Sequence, residues 1–291
     1  MKRCAILSMD SLEEFEAYDD LLEQPLADLG WQMSFVSWRD KNVNWDDFNA
    51  VIIRSPWDYQ DDAEAFLSVL EDIESSSAHL ENSLDIVKWN IDKEYLKELA
   101  DKAVNIVPTL WRESFNVDEL SGFFEHFSQQ QIVLKPRISA NADNTFWLTK
   151  DNVKGMTAQL AKAFESRNFM VQPFMQSVID EGEFSLFYFD GRYSHAILKT
   201  PKQDDFRVQE EHGGRLKTVE PEPELIRQAE IALRAIDSMP LYARVDFVRH
   251  GSSFALMEAE LIEPSLYFNM DAASPKRFAQ AFAAKMQKLA I

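Results

Sequence analysis

The stretch ARVDFVRHGSSFALMEAEL, residues 243–261, constrains the fold more than any other part of the chain. Two apolar runs flank His250-Gly251-Ser252, a turn signal, so the segment reads as a β-hairpin. Asp246 stands in its first strand, and Glu258 and Glu260 stand in its second. Residues two apart on a strand share a face, and cross-strand neighbours sit about 5 Å apart. A core containing this hairpin must therefore hold three carboxylates together, although an unpaired buried charge is costly. A cation among them resolves the conflict. The donors are all oxygens, which suits Mg²⁺. The five histidines are scattered and the single cysteine, Cys4, is remote, so no zinc cluster competes. The alternative is a solvent-facing edge on which the acids pair with Arg244 or Arg249.

The 291 residues suffice for two or three subdomains sharing one site. A net charge of −19 argues against binding to nucleic acid or anionic membranes. No run is long enough for a membrane span, and the apolar run after Lys2 and Arg3 is too short for a signal segment. One cysteine rules out a disulfide framework within the chain, and a cytoplasmic location is expected.

CAIL, WQMSFVSW and AVIIR read as strands. A helix is expected over 12–29, with Phe15, Tyr18, Leu22, Leu26 and Leu29 at helical spacing and Gly30 closing it. This order predicts an α/β layer with a mostly parallel sheet. RSPWDY, 54–59, falls at a strand's carboxyl end, where such sheets meet ligands. Arg54, Trp57 and Asp58 are therefore expected to contact substrate, with packing at a domain interface as the alternative for Trp57. A polar linker is expected over 75–90, then a helix with Asp92 as N-cap and Lys93 in its first turn. VNIVPTLW, QQIVLKP, TFWL and FMVQPFM read as strands around the amphipathic helix VDELSGFFEHF. EGEFSLFYFDGRYSHAILKTP is a second hairpin about Asp190-Gly191. Helices over 222–238 and 276–289 complete the chain.

Lys135 and Lys199 end apolar strands, Lys93 opens a helix and Arg207 lies in the polar loop DDFRVQ. Singly these are ordinary surface cations. Together with the carboxylates they are what a nucleoside triphosphate with Mg²⁺ requires: cations for the phosphates and acids for the bridging metal.

The order Lys93, IVLKP, RISANADNTF, VQPF, GEFSLFYFDGRYSHAILKTP, DFRVQEEHGG, ARVDF and LMEAELIEPSLYF resembles the ATP-grasp superfamily over nearly the whole chain. The resemblance implies an α/β (α+β) ATP-grasp fold with three parts. These are a Rossmann-like N-terminal domain over 1–88, a small subdomain over 89–175 and a C-terminal subdomain over 176–291. It implies that Lys93 and Lys135 contact ATP phosphates beneath a lid, 139–145, in which Ser139 and Asn141 take part. Gln172, Pro173 and Phe174 would form the hinge at adenine, and Glu183 would hold the ribose. Lys199 and Arg207 would face the transferring phosphoryl group. Asp246, Glu258 and Glu260 would bind Mg²⁺, as two ions, with Mn²⁺ as a substitute. The lid lacks the glycines of many relatives, and Glu260 stands where many have Asn. FRVQEEHGG is similar to a loop of glutathione synthetase and the ribosomal-protein glutamate ligases. RSPWDY and ELIEPSLYF are similar to the cyclo-ligases of cycloserine biosynthesis. The implied activity is ATP-dependent joining of a small amino-acid-like carboxylate to a nitrogen through an acyl phosphate. Glu263 is then a candidate for a substrate amine or a basic residue, and a homodimer is compatible with the relatives. A nucleotide-binding module without turnover, and a ligase acting on a peptide or protein tail, remain as alternatives.

Overall fold

β1 (Lys2–Ser8) is buried from Cys4 to Ser8, as an inner strand of a parallel sheet must be. The computed structural model describes residues 1–291 apart from Glu14, Ala140, Asn141, Asp204, Gln209, Glu211 and His212. After α1 (Glu23–Ala27), β2 (Trp31–Ser37) and β3 (Ala50–Ser55) pair in parallel with β1. α2 (Ala63–Ser75) carries the chain to β4 (His79–Glu81), giving the order β2-β1-β3-β4. The expected helix over 12–29 is corrected: among the described residues of this segment only a 3-10 turn over Asp19–Leu22 and α1 are helical. Tyr18 takes left-handed backbone angles, and Asp19 is drawn inward to Arg54 at 3.0 Å.

The expected linker over 75–90 is also corrected, because it contains β4 and α3 (Leu84–Asn90). α4 (Tyr95–Asp101) follows, so Lys93 precedes the helix. The Asp92 carboxylate accepts from the Glu94 N–H at 2.9 Å and pairs with Arg137 at 2.8 Å. A small antiparallel sheet, ordered β5-β8-β6-β7, comes next. Its strands are β5 (Leu110–Arg112), β6 (Gln131–Pro136), β7 (Phe146–Thr149) and β8 (Phe169–Pro173). α5 (Leu120–Phe127) and α6 (Val153–Ala163) cover it through Phe123, Phe124, Leu160 and Phe164.

α7 (Ser177–Asp180) leads to a five-stranded antiparallel sheet ordered β11-β10-β9-β12-β13. β9 (Glu183–Phe189) and β10 (Arg192–Thr200) turn at Asp190 and Gly191, both at positive φ, as a tight hairpin requires. β11 (Arg215–Thr218), α8 (Pro223–Arg234), β12 (Tyr242–His250), β13 (Ser253–Glu260) and α9 (Ser274–Lys288) complete the chain. One face of the sheet packs on α4 and α8 through Leu186, Val245, Leu96 and Leu225. Phe187, Ile197 and Tyr242 on the other face pack with Ile6 and Ile52 of the parallel sheet. Among the described residues no helix is long and apolar enough to cross a membrane.

β13 is an edge strand, and side chains satisfy the backbone groups that an edge leaves open. The Asn90 amide donates to the Ala259 carbonyl at 2.8 Å and accepts from the Leu261 N–H at 3.0 Å. Tyr95 Oη accepts from the Ala259 N–H at 2.8 Å. The Asn82 amide donates to the carbonyls of Leu261 (2.7 Å) and Tyr242 (3.0 Å) and accepts from the Leu241 N–H (2.7 Å). Asn82→Ala strands three buried backbone groups, each worth about 1 kcal/mol or more. Urea unfolding should show a loss of about 3 kcal/mol. A loss within about 0.5 kcal/mol, the size of a neutral surface change, would exclude this role.

Candidate active site

Strand register brings the charged side chains onto one face. Lys199 stands opposite Glu183, Asp246 opposite Ser185 and Glu258, and Arg244 opposite Glu260. Gly182 lets β9 close on β10, since at its φ of +122° a Cβ would lie 2.7 Å from the Lys199 carbonyl. On β13 the register slips between Asp246 and Phe247, leaving Met257 as a bulged extra residue. Met257 and Glu258 therefore both line the cleft between the five-stranded and small sheets.

Asp246 is the buried centre of this face. It accepts from Ser185 Oγ at 2.6 Å and from Arg244 Nη2 at 3.0 Å, and it pairs with Lys199 at 3.2 Å. Burial alone would raise its pKa, but Arg244, Lys199 and Ser185 outweigh burial and hold it down to about 2. Lys199 also meets Glu183 at 2.6 Å. Lys93 meets Glu258 at 3.1 Å and donates to the Ser139 carbonyl at 2.7 Å, fixing the start of the lid. Arg244 bridges Asp246 and Glu260. The pairing of the acids with Arg244 is thus real, but it is buried in the cleft and not on a solvent-facing edge. Burial, with Asp246 and Glu258 nearby, pushes the Glu260 carboxyl up to about 7. Burial and Glu260 push Glu263 up to about 8.

Of the expected site residues, Trp57, Lys93, Lys135, Ser139, Gln172, Pro173, Phe174, Glu183, Lys199, Arg207, Asp246, Glu258, Glu260 and Glu263 all line this cleft. Asn141 lies outside the described residues. Phe174 stacks on Trp147, with centroids 4.6 Å apart, at an apolar end that includes Val133, Met175 and Met257. Arg207 is paired with Asp205 at 2.9 Å.

Two expectations are corrected. Arg54 is wholly buried and does not reach the cleft, because its guanidinium is taken by Asp19 and by the Pro264 carbonyl at 2.8 Å. Asp58 accepts from Trp38 Nε1 and Arg39 Nε, both at 2.7 Å, and is likewise not a lining residue. Trp57 lines the cleft and donates from its indole to the Glu263 carbonyl at 2.8 Å. Sequence reasoning missed Arg244 as a site cation, although its place two residues before Asp246 put it on the same face. It also missed Tyr267, whose left-handed backbone (φ 45°) turns a bulky residue at the cleft wall.

Asp246, Glu258 and Glu260 are hard oxygen donors, as Mg²⁺ requires. Among the described residues no three acidic or imidazole groups already converge as a metal cage. Burial above all, with Asp246 and Glu258 adding to it, raises the Glu260 carboxyl, a penalty that a bound cation would relieve, so the donor set fits an added divalent ion.

Residues 4–82 match the family model of the D-cycloserine synthetase DcsG N-terminal domain, and residues 103–236 match that of the prokaryotic glutathione synthetase ATP-grasp domain. The chain is 28% identical to the cycloserine biosynthesis protein DcsG of Streptomyces lavendulae over 267 residues, covering 86% of this chain and 87% of that one. It superposes on the crystal structure of D-cycloserine synthetase DcsG with a TM-score of 0.87 at 26% identity, covering 98% of this chain and 99% of the other. The fold is that of the ATP-grasp enzymes. The ATP-grasp fold is shared with D-alanine–D-alanine ligase from Bacillus anthracis, with a TM-score of 0.71 at 15% identity over 100% of both chains. A RimK domain protein from Sphaerobacter thermophilus has the fold as well, with a TM-score of 0.73 at 13% identity over 97% of this chain and 98% of that one. With the resemblance to DcsG comes the general activity, ATP-dependent formation of a C–N bond.

The raised carboxyls of the cleft make the stability of the protein depend on pH. Glu260 and Glu263 keep protons in the folded state up to about 7 and about 8, against an ordinary 4.5. Between those values the folded state binds more protons than the unfolded state, so stability falls as pH rises from about 5 to 8. Glu263→Gln should flatten this fall and stabilise the metal-free protein at pH 8 by about 1 kcal/mol or more. Urea unfolding at the two pH values checks this, and an unchanged slope would refute it.

Proposed function

We propose that the chain is an ATP-dependent carboxylate–amine ligase acting on a small amino-acid-like substrate, with ADP and phosphate as products. The reading rests on one observation above all. Lys93, Lys135, Lys199, Arg207 and Arg244 share a single cleft with Asp246, Glu258 and Glu260. The hinge Gln172–Phe174 and the apolar end at Val133 and Met257 would take adenine, and Glu183 the ribose. Lys93 and Lys135 would take phosphates, with Ser139 at the root of the lid. Lys135 suits this role, since no carboxylate lies within 4 Å of it among the described residues. Asp246, Glu258 and Glu260 would hold Mg²⁺, as two ions, with Mn²⁺ able to substitute. That metal supplies charge neutralisation at the phosphates.

In the first step a substrate carboxylate oxygen attacks the γ-phosphorus and the bond to ADP breaks, giving an acyl phosphate. In the second, a neutral nitrogen attacks the acyl carbon, phosphate leaves and the nitrogen loses a proton. Arg244 and Lys199, held rigid by Asp246, would face the transferring phosphoryl group, and Arg207 would join them from its loop. Their work is positioning and charge neutralisation. The buried, reduced Cys4 and the use of ATP favour the cytoplasm.

³¹P NMR of the protein with Mg·ATP and a pool of small amino acids tests the reading. ADP and phosphate should accumulate only when the pool is present, and AMP with pyrophosphate would overturn the acyl-phosphate route. Glu258→Gln should abolish Mg²⁺-dependent turnover while the protein stays folded. Arg207→Ala should lower kcat by more than about tenfold, or 1.4 kcal/mol. An active Glu258→Gln variant would remove that residue from the metal.

A further inference from the structure

The cleft carboxylates have basic partners with one exception. Glu183 and Asp246 meet Lys199, Glu258 meets Lys93, and Glu260 meets Arg244. Glu263 also lines the cleft, but among the described residues no basic side chain lies within 4 Å of it. Its carboxyl is influenced by the Tyr59 hydroxyl and by Lys93, and Lys93 is already engaged by Glu258. Beside it, Ser265 Oγ is buried, faces the same cleft and has no hydrogen-bond partner among the described residues.

The backbone that carries Glu263 is held rigidly. Three successive carbonyls each meet a side-chain donor. The Ile262 carbonyl lies 2.9 Å from Tyr242 Oη, whose single proton it shares with the Ile53 carbonyl at 2.5 Å, while Glu263 accepts from Trp57 Nε1 at 2.8 Å and Pro264 from Arg54 Nη2 at 2.8 Å. Arg54 is itself anchored by Asp19 and lies over the Tyr242 ring, 5.0 Å from its centroid. A loop fixed at three consecutive residues does not let its carboxylate swing away to solvent. So much fixation around an uncompensated acid, with an orphan hydroxyl next to it, is what a receptor for a small cation needs.

We propose that Glu263, with Ser265 beside it, receives a protonated amine of the substrate, and that Arg54 and Trp57 are positioning residues for this receptor. This rests on the ligase reading and deepens it. An amine held against a carboxylate stays protonated and has no lone pair to attack an acyl phosphate. The amine at Glu263 is therefore a recognition handle, and the bond-forming nitrogen must be a different one.

Alanine and propionate differ only in the amine and serve as probes. Calorimetric titration of each alanine enantiomer and of propionate into the Mg·ADP-loaded protein gives the result. At least one enantiomer should bind about tenfold or more tighter than propionate, the scale of a buried charge pair. Glu263→Gln should erase the difference by weakening alanine alone, with Mg·ADP affinity kept and no loss of stability. Trp57→Phe, which keeps a ring but loses the indole donor, should weaken alanine several-fold and leave propionate and Mg·ADP unchanged, a split that a general loss of stability would not produce. Equal affinities for alanine and propionate, no binding of either, or discrimination surviving Glu263→Gln would overturn the proposal. A protein that fails to bind Mg·ADP would overturn the ligase reading as well, whereas Mg·ADP binding without amine discrimination would overturn this inference alone.

Discussion

A carboxylate at the middle of a sheet face, Asp246, stays ionised out of water, and the cleft is arranged around it. Arg244 reaches it from two residues away on the same strand, Lys199 from two strands away, and Ser185 from the strand between. Removing one partner of such a buried group costs about 3–5 kcal/mol, because the charge left behind has no water to turn to. The same contacts fix where Arg244 and Lys199 point. The bonds that a stable core requires electrostatically would thus also set the geometry for the proposed phosphoryl transfer.

Around that centre the charges are nearly matched, and the mismatches are informative. Among the described residues Lys135 has no carboxylate within 4 Å and Glu263 has no basic side chain within 4 Å, and both line the cleft. Each imbalance is unfavourable in the empty protein. The depressed Lys135 ammonium and the raised Glu263 carboxyl both record the burial responsible. Each is relieved by a ligand group of opposite sign. A site built in this way gives up some stability to gain differential affinity.

The hairpin 243–261 made the acidic face legible in the sequence, because period-two spacing and a clear turn fix which residues share a face. Lys199 was legible at the end of an apolar strand, whereas Glu183 and the hinge came only with the resemblance to the ATP-grasp superfamily. Two parts were not legible, for a common reason. The segment 75–90 is polar and turn-rich, so it read as a linker. Its Asn90 is polar because it must satisfy the open edge of β13, and its Asn82 because it must satisfy backbone groups where β12 begins and just past the end of β13, which local sequence does not reveal. The segment 12–18 has helical spacing, but Asp19 is pulled to Arg54, and that pairing spans 35 positions. Periodicity reports which face is apolar. It carries no information on a buried polar side chain whose partner is distant in sequence.

The fate of RSPWDY sharpens this point. Ligands meet parallel sheets beyond the carboxyl ends of their strands, and β3 ends at this phrase. The rule located the right region but the wrong means. Arg54 and Asp58 spend their hydrogen bonds on protein, and Trp57 and Tyr59 reach the cleft wall. The backbone of 262–264 lies between the parallel sheet and the cleft, so Arg54 and Trp57 act on the site through carbonyls of another segment. That arrangement explains why an arginine can be wholly buried at a strand end without being wasted. Its fork joins Asp19 to Pro264 and so makes the position of Glu263 depend on the N-terminal sheet. A shift of that sheet would move the acid relative to Arg244, which belongs to the other sheet. If Glu263 and Arg244 hold the two ends of one small substrate, as proposed, agreement between the two sheets would be a condition for binding it.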